Sequence, residues 1–367
     1  VSPMAERLRI AVNTGGGDAP GLNAVLYGVT MAAYQRGWEV LGIPSGYAGL
    51  LDTSKIVQLT PDRVAGIVSQ GGTILGTTNR GDPFRFPVPA ADGTVDYRDV
   101  SDRLIENFNR LGLDLMIAVG GDGSLTLANR LSQKGMPVIG VPKTIDNDLE
   151  GTVATFGFDT AVTTATEAID KLHSTAAAHE RVMVVEVMGR YAGWIALNSG
   201  TSGSADAILI PEIPFDIDKV CRRLAENERR GKRYGIVVVA EGAAPKGGAM
   251  VTKGGATGGR TEVLLGGIAE WVAKEIAARS GKETRSLVLG HLQRGGSPTT
   301  FDRLLALRFG AAAIRFAAKG ERNVMVALRP PEIVAVPIPD VIARTKRVPA
   351  DSDTILTCRD LGISFGD

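Results

Sequence analysis

Two apolar runs within one short stretch, Leu113 to Gly151, constrain this chain more than any other feature. The first, Leu115–Val119, runs into Gly120, Gly121, Asp122, Gly123 and Ser124, and helical spacing begins there. The second, Met136–Val141, ends in Pro142, Lys143, Thr144, Ile145, Asp146, Asn147 and Asp148. A short apolar run that ends in small, acidic and hydroxyl residues before a helix reads as a buried strand, a loop and a helix N-terminus. Such a junction aims free backbone N–H groups and the positive end of the helix dipole at whatever lies above it, which favours an anion. Two such strands, parallel and adjacent, would bring Asp122 and Asp146 to one sheet edge, where open α/β sheets bind ligands. Asp122 is the one charge in its loop and a candidate magnesium ligand beside phosphates.

The same pattern recurs along the chain. Arg9–Val12 reads as a strand that feeds a glycine loop from Asn13 to Asn23, with a helix from about Ala24 to Arg36. The third glycine of a GxGxxG fingerprint falls at Pro20 and the GxxxxGK[ST] spacing is absent, so neither a dinucleotide fold nor a Walker ATPase fits. Gly17 is the position where a phosphate could approach the backbone. After a strand at Glu39–Ile43, Tyr47 is a candidate to stack on a base, the alternative being to pack on its own loop. A polar bend from Gln70 to Pro83 carries Arg80 as its cation, suited to clamping phosphate. Thr160–His173 has helical spacing, and the strand Val182–Val187 is bracketed by Arg181 and Arg190, whose guanidiniums belong at rims. Further core strands are Ile208–Ile210 and Gly235–Ala240, the latter closing on Glu241. Ala243–Arg260 reads as a mobile surface loop or lid. Thr261 is then expected to cap a helix carrying Leu264, Ile268, Val272 and Ile276. A last strand, Ser286–Leu289, ends in a glycine loop holding His291 and Arg294.

Composition narrows the class. With 367 residues, 44% hydrophobic and 46 glycines, the chain has material for a sizeable core and two domains. Lys and Arg total 41 against 40 Asp and Glu, which leaves no global field for nucleic acid or anionic membrane. Two distant cysteines, Cys221 and Cys358, imply neither a disulfide framework nor zinc. No apolar run approaches the length of a membrane span, so a soluble cytoplasmic protein is expected. Alternating strands and helices call for mostly parallel sheets covered on both faces.

A glycine turn, a GGDGS turn, a TIDND turn and arginines at 181, 190, 285 and 294 offer more phosphate contacts than one phosphate needs. Two phosphorylated ligands with carboxylates between them suggest phosphoryl transfer, which depends on positioning, cations, a metal and a base for the acceptor hydroxyl. Asp146 is the candidate base, its alternative role being a helix cap.

The segments TGGGDAPGLN, GGTILG, GGDGS, PKTIDND, VMGRYAGW and GHLQRGG, in this order, resemble the 6-phosphofructokinase family from about Arg9 to about Leu328. The resemblance implies two similar three-layer α/β/α domains with the active site in the cleft between them. Residues 1–157 with about 293–343 would form the phosphoryl donor domain, and 158–292 with about 344–367 the fructose 6-phosphate domain. It implies transfer from ATP to the 1-hydroxyl of fructose 6-phosphate. Asp146 would be the base, Thr144 an orienting hydroxyl, Ile145 a neighbour of the sugar, and Asp122 the Mg2+ ligand. Gly17, Tyr47, Arg80, Gly121, Asp122, Gly123 and Ser124 would face the donor. Met188, Gly189, Arg190 and Glu241 would contact the sugar, Arg190 also stabilising transition-state charge. Arg181, Arg285, His291 and Arg294 would hold the 6-phosphate, two of the arginines reaching across an interface of a dimer or tetramer.

Family members that use ATP usually carry glycine at the positions of Gly123 and Lys143, and those that use pyrophosphate carry aspartate and lysine; this chain has one of each. Glycine at 123 leaves room for a nucleotide, whereas a lysine can swing aside, so ATP is the expected donor and pyrophosphate the alternative. A non-catalytic sugar-phosphate sensor is a further alternative. Tyr27 and Met31 stand where regulated relatives place effector-binding arginines, which predicts weak or absent allosteric control.

Overall fold

Strands that are apolar on both faces need helices on both faces, and four here are buried from end to end: LMIAVG, VIGVP, AIL and GIVVVA. The computed structural model describes residues 7–89, 93–254 and 264–367. Elements are numbered in chain order. The first sheet combines β1 (Arg9–Thr14), β2 (Glu39–Ile43), β3 (Val57–Gln58), β6 (Leu115–Gly120), β7 (Val138–Pro142), β14 (Val324–Arg329) and β15 (Glu332–Pro337). Its order is β15-β14-β7-β6-β1-β2-β3, parallel throughout its centre and antiparallel only at the two outer pairs. The second sheet, entirely parallel, has the order β13-β8-β10-β9 from β8 (Val182–Val187), β9 (Ala207–Leu209), β10 (Gly235–Ala240) and β13 (Thr284–Val288). Two small hairpins, β4 (Phe86–Pro89) with β5 (Val95–Arg98) and β11 (Thr252–Gly254) with β12 (Leu264–Leu265), complete the strands among the described residues.

Each sheet is sandwiched. Helices α1 (Leu22–Tyr34) and α8 (Thr300–Ala318) pack together against one face of the first sheet. On its other face lie α2 (Ser101–Arg110), α3 (Asp122–Gln133) and α9 (Ile338–Ile342). The second sheet is covered by α4 (Phe158–Ala178), α5 (Trp194–Ser202) and α10 (Asp353–Asp360) on one side, and by α6 (Ile217–Arg229) and α7 (Ile268–Ser280) on the other. The C-terminal tail docks rather than frays: Ser364 bridges to Ala207, and Ile363 and Phe365 are buried. No helix among the described residues is long and apolar enough to cross a membrane.

Some local expectations shift. The first helix spans Leu22–Tyr34, a register earlier than its periodicity suggested. Leu264 belongs to a strand, and α7 starts at Ile268 with Gly267 at its N-cap. Thr261, the expected cap, lies outside the described residues, as does part of the Ala243–Arg260 segment. The N-terminus of α7 is instead satisfied from β8, because the buried Glu186 carboxylate accepts from the N–H groups of Gly267 (3.0 and 3.1 Å) and Ala269 (3.0 Å). A carboxylate there also complements the helix dipole.

Candidate active site

The parallel centre of the first sheet sends β1, β6 and β7 to one edge. The three turns that follow them meet there. Gly123, in the first turn of α3, has open space where a side chain would project. Asp122 is exposed beside it. The Ser124 carbonyl accepts from the Tyr47 hydroxyl at 3.1 Å. Tyr47 is only 3% exposed, and burial pushes its hydroxyl well above the usual phenol range. The structure therefore corrects the expected base-stacking role: the ring is packed into the core beneath the β6–α3 turn and supports it from below.

The β7 turn carries the candidate reactive groups. Lys143 is buried, its ammonium donates to the Gly17 carbonyl, and burial with the nearby Arg294 lowers it to about 8. Three residues on, Asp146 is 4% exposed, and its Oδ1 is buried with no hydrogen-bond partner among the described residues. Burial, then the adjacent Asp148 and Glu241, raise its carboxyl to about 7, against the pull of Arg294 and Arg190. A base poised there suits proton abstraction near neutrality. Thr144 accepts from the Asp146 N–H at 3.1 Å, and Asn147 holds a left-handed conformation, φ 52°, between the two aspartates. Asparagine tolerates that region better than most residues. Ile145 is fully buried, its side chain packed with Ala161 and Ala165 of α4.

The second sheet presents the facing wall. Beyond β8, Met188, Gly189 and Arg190 form a turn in which Arg190 also has a left-handed φ of 52°. Its N–H donates to Glu241 Oε1 at 3.0 Å, and burial raises the Glu241 carboxyl. Gly242 has to be glycine, because a Cβ there would fall 1.9 Å from the Arg190 carbonyl oxygen. Met188 N–H donates to Gln293 Oε1 at 3.3 Å, so the loop after β13 is tied to the loop after β8.

Asp122, Gly123, Ser124, Gly17, Lys143, Thr144, Asp146, Arg190, Glu241 and Arg294 thus gather in one region between the sheets. Arg294 donates to the Asp18 carbonyl at 3.1 Å, turning toward the first glycine loop, while His291 is exposed on the same short turn. Arg80 is exposed on its bend. Arg181 and Arg285 stand apart. Arg285 aligns with Met183 near the start of β8, and both arginines pair with Glu283 at 3.2 and 2.8 Å. Five residues of strand separate that level from Met188, roughly 17 Å at the usual rise. Sequence reasoning passed over Gln293, Glu212 and Lys346. Gln293 lay inside a quoted motif, and its complete burial marks it as a brace. Glu212 accepts from Gly193 N–H at 3.0 Å and from Val348 N–H at 3.0 Å. No local pattern pointed to it.

The family model described as Phosphofructokinase matches residues 9–317. An ATP-dependent 6-phosphofructokinase of Chloroflexus aurantiacus is 50% identical over 363 residues, covering 99% of both chains. ATP-dependent 6-phosphofructokinase 1 of Synechocystis is 47% identical over 99% of this chain and 100% of its own. Among solved structures, phosphofructokinase of Pichia pastoris in the T-state superposes with a TM-score of 0.79 at 30% identity, over 97% of this chain and 36% of that longer one. A pyrophosphate-dependent phosphofructokinase from Marinobacter aquaeolei, at 24% identity and TM-score 0.78, covers 97% of this chain and 90% of its own and shares the fold. Matched by the family model over most of its length and by relatives along nearly all of it, and carrying a buried carboxylate between two phosphate-sized turns, the chain belongs to the phosphofructokinase family.

Proposed function

We propose that this enzyme transfers the γ-phosphoryl group of ATP to the 1-hydroxyl of fructose 6-phosphate. The observation that carries this reading is Asp146 Oδ1, a buried acceptor without a partner among the described residues, on a carboxyl raised toward neutrality and set between the β6–α3 turn and the β8 turn. Native proteins rarely leave such an atom unsatisfied, and a substrate hydroxyl would satisfy it. Asp146 takes the hydroxyl proton as the sugar oxygen bonds to the γ-phosphorus. The bond to the β-phosphate oxygen breaks, and ADP leaves. Thr144 holds the Asp146 backbone in place, and Arg190 and Arg294 lie close enough to influence the charge at the centre. The Gly121–Ser124 turn offers backbone N–H groups to the donor phosphates. Lys143, drawn to Gly17, leaves the space above Gly123 open for a nucleotide.

The donor set fits Mg2+: an exposed Asp122 carboxylate beside open space matches the ion's habit of binding one or two carboxylates with phosphate oxygens and water. When bound, it would neutralise phosphate charge. Residues 1–157 with about 293–343 serve the donor and 158–292 with about 344–367 the sugar phosphate. Because Arg181 and Arg285 sit at the far end of the second sheet, the reading gives them to a neighbouring protomer's site, in a dimer or tetramer. A parallel assay with ATP and with pyrophosphate tests the donor. Turnover confined to ATP with Mg2+ is expected, and comparable turnover with pyrophosphate would overturn the assignment.

A further inference from the structure

Lys346 lies far from the chemistry in sequence, on the segment that leaves α9 for the second sheet. Its ammonium has three N–H donors, and all three find acceptors on the turn that carries Asp146: Asn147 Oδ1 at 3.0 Å, the Thr152 carbonyl at 2.9 Å and the Val153 carbonyl at 3.1 Å. The backbone joins in. Lys346 N–H donates to the Asp148 carbonyl at 2.9 Å, and Thr345 bridges to Leu149. On its opposite side the Lys346 carbonyl accepts from Trp194 Nε1 at 3.0 Å, and the ammonium stands 5.5 Å from the Trp194 ring centre. Trp194 opens α5, directly after the Met188–Gly193 turn. Two residues on, Val348 N–H reaches Glu212, the same carboxylate that holds Gly193 N–H. One short strap therefore grips the catalytic turn with one side and the sugar-facing turn with the other.

The grip falls on a vulnerable point. Asn147 sits in the left-handed region between Asp146 and Asp148, and its Oδ1 accepts from both Lys346 and the Thr155 N–H. A left-handed residue that is not glycine persists where surrounding structure holds it. Burial lowers the Lys346 ammonium to about 8, partly offset by Asp148 and Glu150, so the charge is placed there against a desolvation cost.

We propose that Lys346 is a positioning residue for phosphoryl transfer: it locks the Asn147 turn and ties it to Trp194, fixing Asp146 relative to the sugar-facing wall. This rests on Asp146 being the base. Its action is on geometry in the reacting complex, and misplacement by about 1 Å costs on the order of 100-fold in rate. Substrate contacts are not its business, so the effect belongs in kcat.

Lys346→Met keeps an unbranched side chain, one atom shorter, and removes all three side-chain bonds. In the folded full-length enzyme, kcat is expected to fall by about 10- to 100-fold while KM for fructose 6-phosphate and for ATP stay within about threefold. Equilibrium binding of fructose 6-phosphate should be unchanged. A folded K346M enzyme with kcat within twofold of the parent, or with only KM altered, overturns the proposal. If K346M does not fold, K346R decides: its planar fork cannot send three donors to these acceptors, so a kcat at least about fivefold lower with unchanged KM supports the clamp, and full kcat refutes it. Asp146→Asn, measured alongside, separates the two assignments. If D146N keeps its turnover, the base assignment fails and the proposal resting on it falls with it. If D146N is inactive while K346M is unimpaired, only the clamp fails.

Discussion

The Lys143 ammonium donates to the carbonyl oxygen of Gly17, so the turn after β7 is tied to the turn after β1. The two loops that border the donor space are thereby one unit, and the cation is engaged by protein backbone. At Gly123, across that space, a Cβ would meet nothing within 4 Å among the described residues. On the proposed reading, glycine at 123 rather than the lysine sets the room for a donor.

Gly123→Asp should fold like the parent, because an added Cβ meets nothing within 4 Å among the described residues and an acidic residue is welcome in the first turn of a helix. Its melting temperature is expected within about 2 °C of the parent, consistent with a surface change of under about 0.5 kcal/mol. With ATP, kcat/KM should fall by about 10- to 100-fold, or about 1.4 to 2.7 kcal/mol, through repulsion of donor phosphate. Steady-state kinetics with each donor checks this, and unchanged ATP kinetics would remove Gly123 from donor selection.

The pH dependence follows from Asp146. Its carboxyl is raised from 3.8 to about 7, so in the fold the acid form is favoured. That contribution to stability is fully present below the unfolded value and is lost as pH rises through about 7. As a base it must be ionised, so kcat/KM should climb about tenfold per pH unit below 7 and level off above it. Asp146→Asn should lower kcat by about a thousandfold or more. It should also melt higher than the parent at pH 8, an advantage that shrinks as pH falls below 7. Thermal melts at several pH values distinguish this from simple damage to the fold.

Arg285 stands near the start of its strand, at the far end from Met188, with 63% of its side chain exposed. If a neighbouring protomer's site uses it, Arg285→Ala should raise KM for fructose 6-phosphate by about 10- to 100-fold, the loss expected for a charged hydrogen bond. Mixing R285A with D146N after dissociation and reassembly should then restore activity to about a quarter of the sites, since hybrids rebuild one intact site in two. Absence of any recovery in reassembled mixtures would place Arg285 outside the active site.

Glu186 is 2% exposed on β8, and its carboxylate is the acceptor for two N–H groups at the start of α7. Glu186→Ala should cost about 2 to 4 kcal/mol, combining a lost cap with buried donors left unpaired. Urea denaturation would show the midpoint fall. An unchanged midpoint would mean that water replaces the carboxylate.

The order of strands, glycine turns and helices is local information, carried by apolar runs of strand length and by the residues that end them. For that reason the sequence alone was sufficient to bring Asp122 and Asp146 to one sheet edge and to set Arg190 and Glu241 at the ends of their strands. Tertiary structure decided what each polar side chain meets. Tyr47 reads as a loop aromatic until its ring is found under the Ser124 carbonyl, 77 residues away. Arg294 reads as a phosphate ligand, yet in the fold it reaches Asp18 across 276 residues. Lys346 and Asn147 are 199 residues apart, and Glu186 reaches a helix start 81 residues on. A residue type states which bonds a side chain can make. Its partner is chosen only when distant segments close on each other, and in this chain such closures brace the turn that carries Asp146.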